Sequence, residues 1–334
     1  MKLFLILLLT STIIFGETHL KIATYNVENL FDLHKNGHEY REYIPYTKAN
    51  WNKKTYRIKL NNTARVIKGI NADIIALQEI ESLQALKDLR FTLKQNNLYY
   101  PYYKIANRKN TTIKVAVLSK ISFIYTKEIM VTSSYKYRNI LEIKFQINHQ
   151  ILYMFVNHWK AKSGPESMRI VSAKALKKRI QEIGLDKNII LLGDFNSDYE
   201  EYKRFKRSRK LNNTNGRTGI NDVLHTKKQT TVATHVKYNQ NNLYNLWYDT
   251  SKNNRYTYIY RGKKEAMDNI IVSTSLLNNN SFHYKTNSIQ AFKPAYLLKG
   301  KSIYRWKMSW RKPHKHIGKG YSDHLALTTE FVLK

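Results

Sequence analysis

The residues that could do chemistry sit at the ends of apolar runs. Asn188-Ile189-Ile190-Leu191-Leu192 reads as a strand buried on both faces, and Gly193 ends it. Asp194, Asn196 and Asp198 follow at alternating positions, so Asp194 and Asn196 share a side while Phe195 packs the other way. A carboxylate beside a carboxamide at such a strand end suits a divalent cation or a phosphate. Alone, G-D-x-N would be no more than an Asx-rich turn. It has company, however: Asn26 and Glu28, Glu79, His158, and Asp323 with His324 stand at four further strand ends. Asp268 lies inside the otherwise apolar run Ala266–Ser273, where a carboxylate is costly unless it finds a partner.

The elements that must hold these groups follow from apolar spacing. Alternation over residues 20–25 gives a strand that runs into Asn26, Glu28 and Asn29, and residues 35–56 read as an irregular loop. A helix over Arg57–Ile70 precedes a buried strand, Ile74–Leu77, closed by Gln78 and Glu79. The next helix, Ser82–Asn96, carries Leu83, Leu86, Leu89 and Leu93 as core residues, too few heptads for a zipper. Short β-prone runs, 115–118, 121–130, 140–147 and 151–156, lead to Asn157-His158-Trp159-Lys160-Ala161-Lys162. Pro165–Ile183 reads as a helix with proline in its permissive first turn. Two strands joined by Gly262-Lys263-Lys264 surround Asp268, and 325–332 forms a last strand. Strands and helices interleaved this way imply a sheet sandwich covered by helices.

Composition narrows the chemistry. The 334 residues contain no cysteine, which excludes disulfides, thiolate metal sites and a cysteine nucleophile. With 42% hydrophobic and 24% charged residues the chain is globular. Lys and Arg number 57 against 24 Asp and Glu, a net charge of +33. An AT-rich codon bias would raise Lys but would raise Glu too, so the imbalance points to a polyanionic partner, nucleic acid ahead of an anionic membrane. Basic residues concentrate over 202–210 and over 299–319, where Tyr304, Trp306 and Trp310 are interleaved with Arg305, Lys307 and Arg311. Such a mixture can stack bases and contact phosphates. Lys160 and Lys162, just after His158, are further candidates for phosphate contact.

Lys2 precedes an apolar run, Leu3–Phe15, too short to span a bilayer, and Gly16 follows. Residues 1–16 therefore read as a signal peptide, and the remainder, 17–334, as one exported, periplasmic or secreted domain without a transmembrane segment.

The ordered set Y-N-V-E-N, L-Q-E, N-H-W-K, G-D-F-N, M-D-N-I and S-D-H, spread over residues 19–333, resembles the endonuclease/exonuclease/phosphatase superfamily. The resemblance implies a four-layered α/β sandwich of the DNase I-like kind, with two mixed β-sheets packed between helices and a metal site at the sheet ends. It implies Glu79 as the chief ligand of a divalent cation, Mg²⁺ ahead of Mn²⁺ or Ca²⁺. Asn26 would lie close to the cation, Glu28 where some members carry a second acid, and Asp323 nearby. By the same resemblance Asp194 and Asn196 hold the attacking water and a phosphate oxygen, and His324, oriented by Asp268, contacts the phosphate. His158 matches a second histidine of the secreted deoxyribonuclease branch, although the acidic partner that branch uses for it is not visible in the sequence. The expected activity is metal-dependent endonucleolytic hydrolysis of DNA, with RNA left open as a second substrate, by a monomer with little sequence preference. Two alternatives are a phospholipid phosphodiesterase of the sphingomyelinase kind, with Trp306 and Trp310 dipping into the membrane, and a basic nucleic-acid-binding protein without catalysis.

Overall fold

The structure is a computed structural model that describes residues 17–108, 111–205, 210–226, 242–278 and 281–334. The leader expected over 1–16, and Lys206, Arg207 and Arg209 of the first basic run, lie outside the described residues.

In chain order the elements are β1 (Thr18–Leu30), α1 (Lys53–Ile70), β2 (Ile74–Ile80), α2 (Leu83–Gln95), β3 (Tyr102–Ile105) and β4 (Lys114–Ser119). Then come β5 (Phe123–Ile129), β6 (Ile140–Ile147), β7 (Gln150–His158), α3 (Glu166–Ile183), β8 (Asn188–Asp194), the short α4 (Glu201–Arg204) and β9 (Leu243–Asn245). The last third holds the hairpin β10 (Tyr258–Tyr260) and β11 (Lys263–Glu265), then β12 (Asp268–Ser273), β13 (Phe282–Tyr284) and β14 (Gln290–Ala291). A second small hairpin, β15 (Leu298–Lys299) and β16 (Ser302–Ile303), precedes β17 (Leu327–Leu333).

Two mixed sheets result. One runs β13-β17-β1-β2-β4-β3 with β14 also on β17, and the other runs β5-β6-β7-β8-β12-β9. Each contains one parallel pair, β1 with β2 and β7 with β8, inside otherwise antiparallel neighbours. Parallel partners need a covering crossover, and α1 and α3 supply it. Alternation along β8 assigns its two faces. Ile190 and Leu192 enter the main core between the sheets, while Ile189 and Leu191 pack with Ala173, Leu176 and Ile180 of α3. Each such fully buried Leu or Ile contributes roughly 1.5–3 kcal/mol relative to exposure. A sheet covered on both faces in this way is the sandwich expected from the sequence.

Local sequence sets the boundaries. α1 begins four residues earlier than apolar spacing suggests, because Asn52 and Thr55 form a reciprocal capping box that starts the helix at Lys53. Ser82 caps α2 by accepting from Ala85 N. Of its four leucines, Leu86, Leu89 and Leu93 are core, but Leu83 is 38% exposed in the first turn. The expected loop over 35–56 contains a short 3₁₀ turn, Arg41–Tyr43, and the start of α1.

Candidate active site

One register row carries most of the chemistry. His158, the last residue of β7, is paired with Asp194, the last of β8, and Asp194 with Asp268, the first of β12. Three titratable side chains thus stand abreast at one end of the second sheet. From the first sheet, Asn26 of β1 reaches across: its Nδ2 donates to Asp194 Oδ2 at 3.0 Å and to Glu79 Oε1 at 3.1 Å. His324, just before β17, completes the group, with Nδ1 2.7 Å from Asp268 Oδ2 and Nε2 3.9 Å from Asp194 Oδ2. A cleft of about 570 Å³ opens over them, lined also by Asn196, Tyr258, Asp323 and Arg138.

The approach of β7 to β8 explains Gly193. Its φ is +131°, and a Cβ there would lie 2.1 Å from the Asn157 carbonyl oxygen. Only glycine lets the two strands come this close and set His158 beside Asp194. Left-handed backbone recurs at Glu28 (φ 53°), Asn29 (φ 60°), Glu79 (φ 67°) and Asn196 (φ 48°), all at the strand ends around the cleft. Non-glycine residues there store strain, which the neighbours must hold. At Glu79 the holding contact is Asn29 N, which donates to Oε2 at 2.9 Å. At Asn196 it is Asp194 Oδ1, accepting from the backbone N at 2.8 Å, with Asn196 Nδ2 donating to Trp159 O at 3.1 Å.

Electrostatics separate the groups. Burial raises Asp194 to about 7, with His324 pulling it down and Asp268 pushing it up. Burial would also discharge His324, yet the charge and hydrogen bond of Asp268, then the charges of Asp194 and Asp323, hold its pKa well above the ordinary 6.5. His158 goes the other way, well below 6.5, through burial and the charges of Arg138 and His324. Glu79 is raised by burial and by Asp323. Among the described residues, His158 Nδ1 and Asp268 Oδ1 have no hydrogen-bond partner. Asp268 nevertheless has the partners that its buried place requires, His324 and Thr257, whose Oγ1 donates to Oδ2 at 2.5 Å.

Several expected roles do not match the placement. Glu28 faces away from the cleft: Arg305 binds its Oε1, and Trp306 N donates to Oε2 at 3.0 Å. Both oxygens serve the protein, so the position expected for a second acidic ligand is filled by an ion pair. Asn26 presents its amide nitrogen to the carboxylates, while its Oδ1 accepts from Glu28 N at 3.0 Å. Its part here is to hold two carboxylates together rather than to offer an oxygen. Trp306 is only 3% exposed, and its Nε1 donates to His316 Nδ1 at 2.8 Å, so it can neither stack on a base nor dip into a membrane. Trp310 is 96% exposed and Arg311 is exposed near it. Lys162 lines the cleft but is paired with Glu201 at 2.9 Å. Lys160 is half-buried, its ammonium pushed down by burial and by Arg138 and Lys136.

Arg138, Thr257 and Tyr258 were not foreseen. Arg138 donates to Trp159 O at 3.0 Å, and the Tyr258 ring lies 4.9 Å from that of His324. Arg138 carries no signal in a chain so rich in Lys and Arg. Thr257 and Tyr258 could have been suspected from the need of Asp268 for partners near its own hairpin.

Among the described residues, no three His, Asp or Glu side chains form a ready-made cation cage. The donor set nevertheless fits a hard divalent ion. Glu79, Asp194 and Asp323 line one cleft, and burial, with the neighbouring carboxylates adding, raises Glu79 and Asp194 above their ordinary values despite the opposing charge of His324, so a cation among them would relieve the crowding.

The fold and these strand-end acid and imidazole groups define a phosphoester hydrolase of the DNase I-like class. A model of the endonuclease/exonuclease/phosphatase family matches residues 21–332, and the chain belongs to that family. Its fold is similar to that of humanized D. rerio TDP2, with a TM-score of 0.58 at 14% identity over 94% of this chain and 98% of that one. D. rerio TDP2 complexed with a single-strand DNA product gives 0.57 at 13% identity, over 94% and 99%. A mannosyl-6-phosphatase from Bacteroides thetaiotaomicron gives 0.54 at 15% identity, over 94% and 100%. No curated protein sequence matches the chain.

Proposed function

We propose that the chain is an exported, divalent-cation-dependent phosphodiesterase that hydrolyses nucleic acid, DNA and also RNA, with little sequence preference. The observation that carries the reading is the convergence of Glu79, Asp194, Asp268 and His324 at one cleft in a chain of net charge +33. A protein this basic gains most from a substrate with a phosphate at every step. The structure of TDP2 with a single-strand DNA product supports the same substrate class.

The residues divide the work by protonation. His324 gives Nδ1–H to Asp268, and its raised pKa keeps it an imidazolium, so it cannot be the base. Its Nε2–H is free to steady the negative charge that builds on the phosphate oxygens. Asp194, with a pKa near 7, takes the proton of the attacking water. Asn26 and the backbone N of Asn196 fix the Asp194 carboxylate. Glu79, with Asp323 nearby, would hold the cation, which when bound neutralises charge on the non-bridging oxygens. No helix of the described residues is long and apolar enough to cross a membrane.

The test sets purified protein, with Mg²⁺, Mn²⁺ or Ca²⁺, against supercoiled DNA, single-stranded RNA and sphingomyelin vesicles in parallel. Nicking of DNA supports the reading. Choline-phosphate release without nucleic-acid cleavage would replace it with the phospholipase alternative, and gel retardation of DNA without cleavage would leave only a binding protein.

A further inference from the structure

A second groove, of about 590 Å³, adjoins the catalytic cleft and shares Asn29 with it. One wall is the 3₁₀ turn with Glu42 and Tyr43, and the other is the segment 305–310. That segment is part of an arm, residues 305–319, that is tied at its base and along its length. Trp306 is buried against Trp51 and His316, and Glu28 fixes Arg305 and the Trp306 backbone. Lys307 N and Ser309 N donate across the arm to Lys319 O and Lys315 O, both at 2.8 Å. At the tip, Ser309 Oγ donates to Arg311 O and accepts from Lys315 N.

On this braced arm stands Trp310, 96% exposed, while the other four tryptophans are at most 3% exposed. Arg305 and Lys307 stand beside it in the groove, and Arg311, Lys312 and Lys315 follow it around the tip. The acids lining the groove are Glu42, on the opposite wall, and Glu28, already paired with Arg305, which also reaches Asp323 at 3.3 Å. An indole with both faces open among cations has little to offer the fold and much to offer a base on a phosphate backbone.

We propose that this groove is a base-stacking subsite for single-stranded nucleic acid, with Trp310 as its platform. The proposal rests on the phosphodiesterase reading above and extends it to the segment flanking the scissile phosphate. Continuity through Asn29 sets the path: a strand whose phosphate lies at His324 runs over Asn29 into the groove. Bases in a duplex already have both faces covered, so an isolated aromatic platform recruits an unpaired one. Stacking of this kind accepts any base.

The protein reports on itself, because Trp310 is the one tryptophan that a soluble quencher can reach. With cation chelated to stop turnover, a twelve-residue oligothymidylate is titrated while tryptophan emission and its quenching by acrylamide are followed. The expected result is loss of Trp310 emission and shielding from acrylamide. Trp310→Ala should weaken oligothymidylate binding by about tenfold, in line with the cost of removing one stacking aromatic, and Trp310→Phe should recover most of it. Unchanged affinity in Trp310→Ala, or shielding by phosphatidylserine vesicles but not by the oligonucleotide, overturns the proposal. Failure of the two readings is separable. Cleavage of DNA without shielding removes only the subsite, and shielding without cleavage under any cation removes only the catalytic reading.

Discussion

His324 Nδ1 lies 2.7 Å from Asp268 Oδ2, across 56 residues of sequence and between the two sheets. Neither residue is placed by its own strand alone. Asp268 is set by pairing with Asp194, and His324 by its backbone N donating to Ser322 Oγ, which itself donates to Asn26 O. The imidazole is therefore oriented by both sheets at once. Asp268→Asn keeps the shape but removes the charge, and turnover of a nucleic-acid substrate should fall about 10²–10⁴-fold, as for loss of a positioned acid–base partner. His324→Ala should fall at least as far, and near-normal turnover in either variant rejects the assignment.

Gly193 has the most demanding backbone in the site. A methyl group there meets the Asn157 carbonyl at 2.1 Å, and the φ of +131° is unsuited to alanine. Gly193→Ala should cost at least about 2 kcal/mol of stability, combining strain and the forced parting of β7 and β8. A urea midpoint measures this, and a loss below about 0.5 kcal/mol would mean that the strands are more pliant than described.

Glu28 and Glu79 should separate cleanly in cation binding. Glu28 is committed to Arg305 and the Trp306 backbone, whereas Glu79 lines the cleft. Glu79→Gln should weaken divalent-cation binding, read by calorimetry, by more than about tenfold, since a hard cation wants a charged oxygen. Glu28→Gln should leave it within about threefold. Equal losses in the two variants would restore Glu28 as a ligand.

His316 supplies an acid-sensitive lock. It is fully buried, accepts from Trp306 Nε1 at 2.8 Å and lies 2.9 Å from the Glu42 carbonyl through Nε2. Burial lowers its pKa from the ordinary 6.5 to about 4, the bond to Glu42 O opposing and the charge of Lys59 adding to the fall. The folded value lies below the unfolded one, so its contribution is complete above pH 6.5 and is lost as pH falls from there toward 4. About 3 kcal/mol of stability should disappear over that window. Denaturation midpoints between pH 7 and pH 4 test this, and His316→Phe should flatten the dependence.

Much of the architecture was readable because buried strands are apolar and end in polar residues. The polar groups closing β1, β2, β7 and β8 were visible for the same reason. Asp268 announced its need for a partner by its place in an apolar run, though not which partner. What could not be read was direction. Nothing local shows that Glu28 turns to Arg305, 277 residues away, or that Asn26 offers nitrogen rather than oxygen. Trp306 and Trp310 look alike in sequence, yet one is core and the other fully in solvent, because only Trp306 meets His316 and Trp51. Arg138 was hidden among 57 basic residues.

The left-handed residues at the strand ends carry a consequence for engineering. Asn29 and Asn196 hold backbone shapes that glycine would adopt freely. Replacing either with glycine would relieve local conformational tension and could make the fold more heat-resistant. Glycine would keep the backbone N–H that holds Glu79 or Asp194, but its wider range of φ and ψ would hold that N–H less firmly on the carboxylate. Endurance and turnover are thus set against each other at these two positions, and selection for hardiness alone would be expected to erode the catalyst.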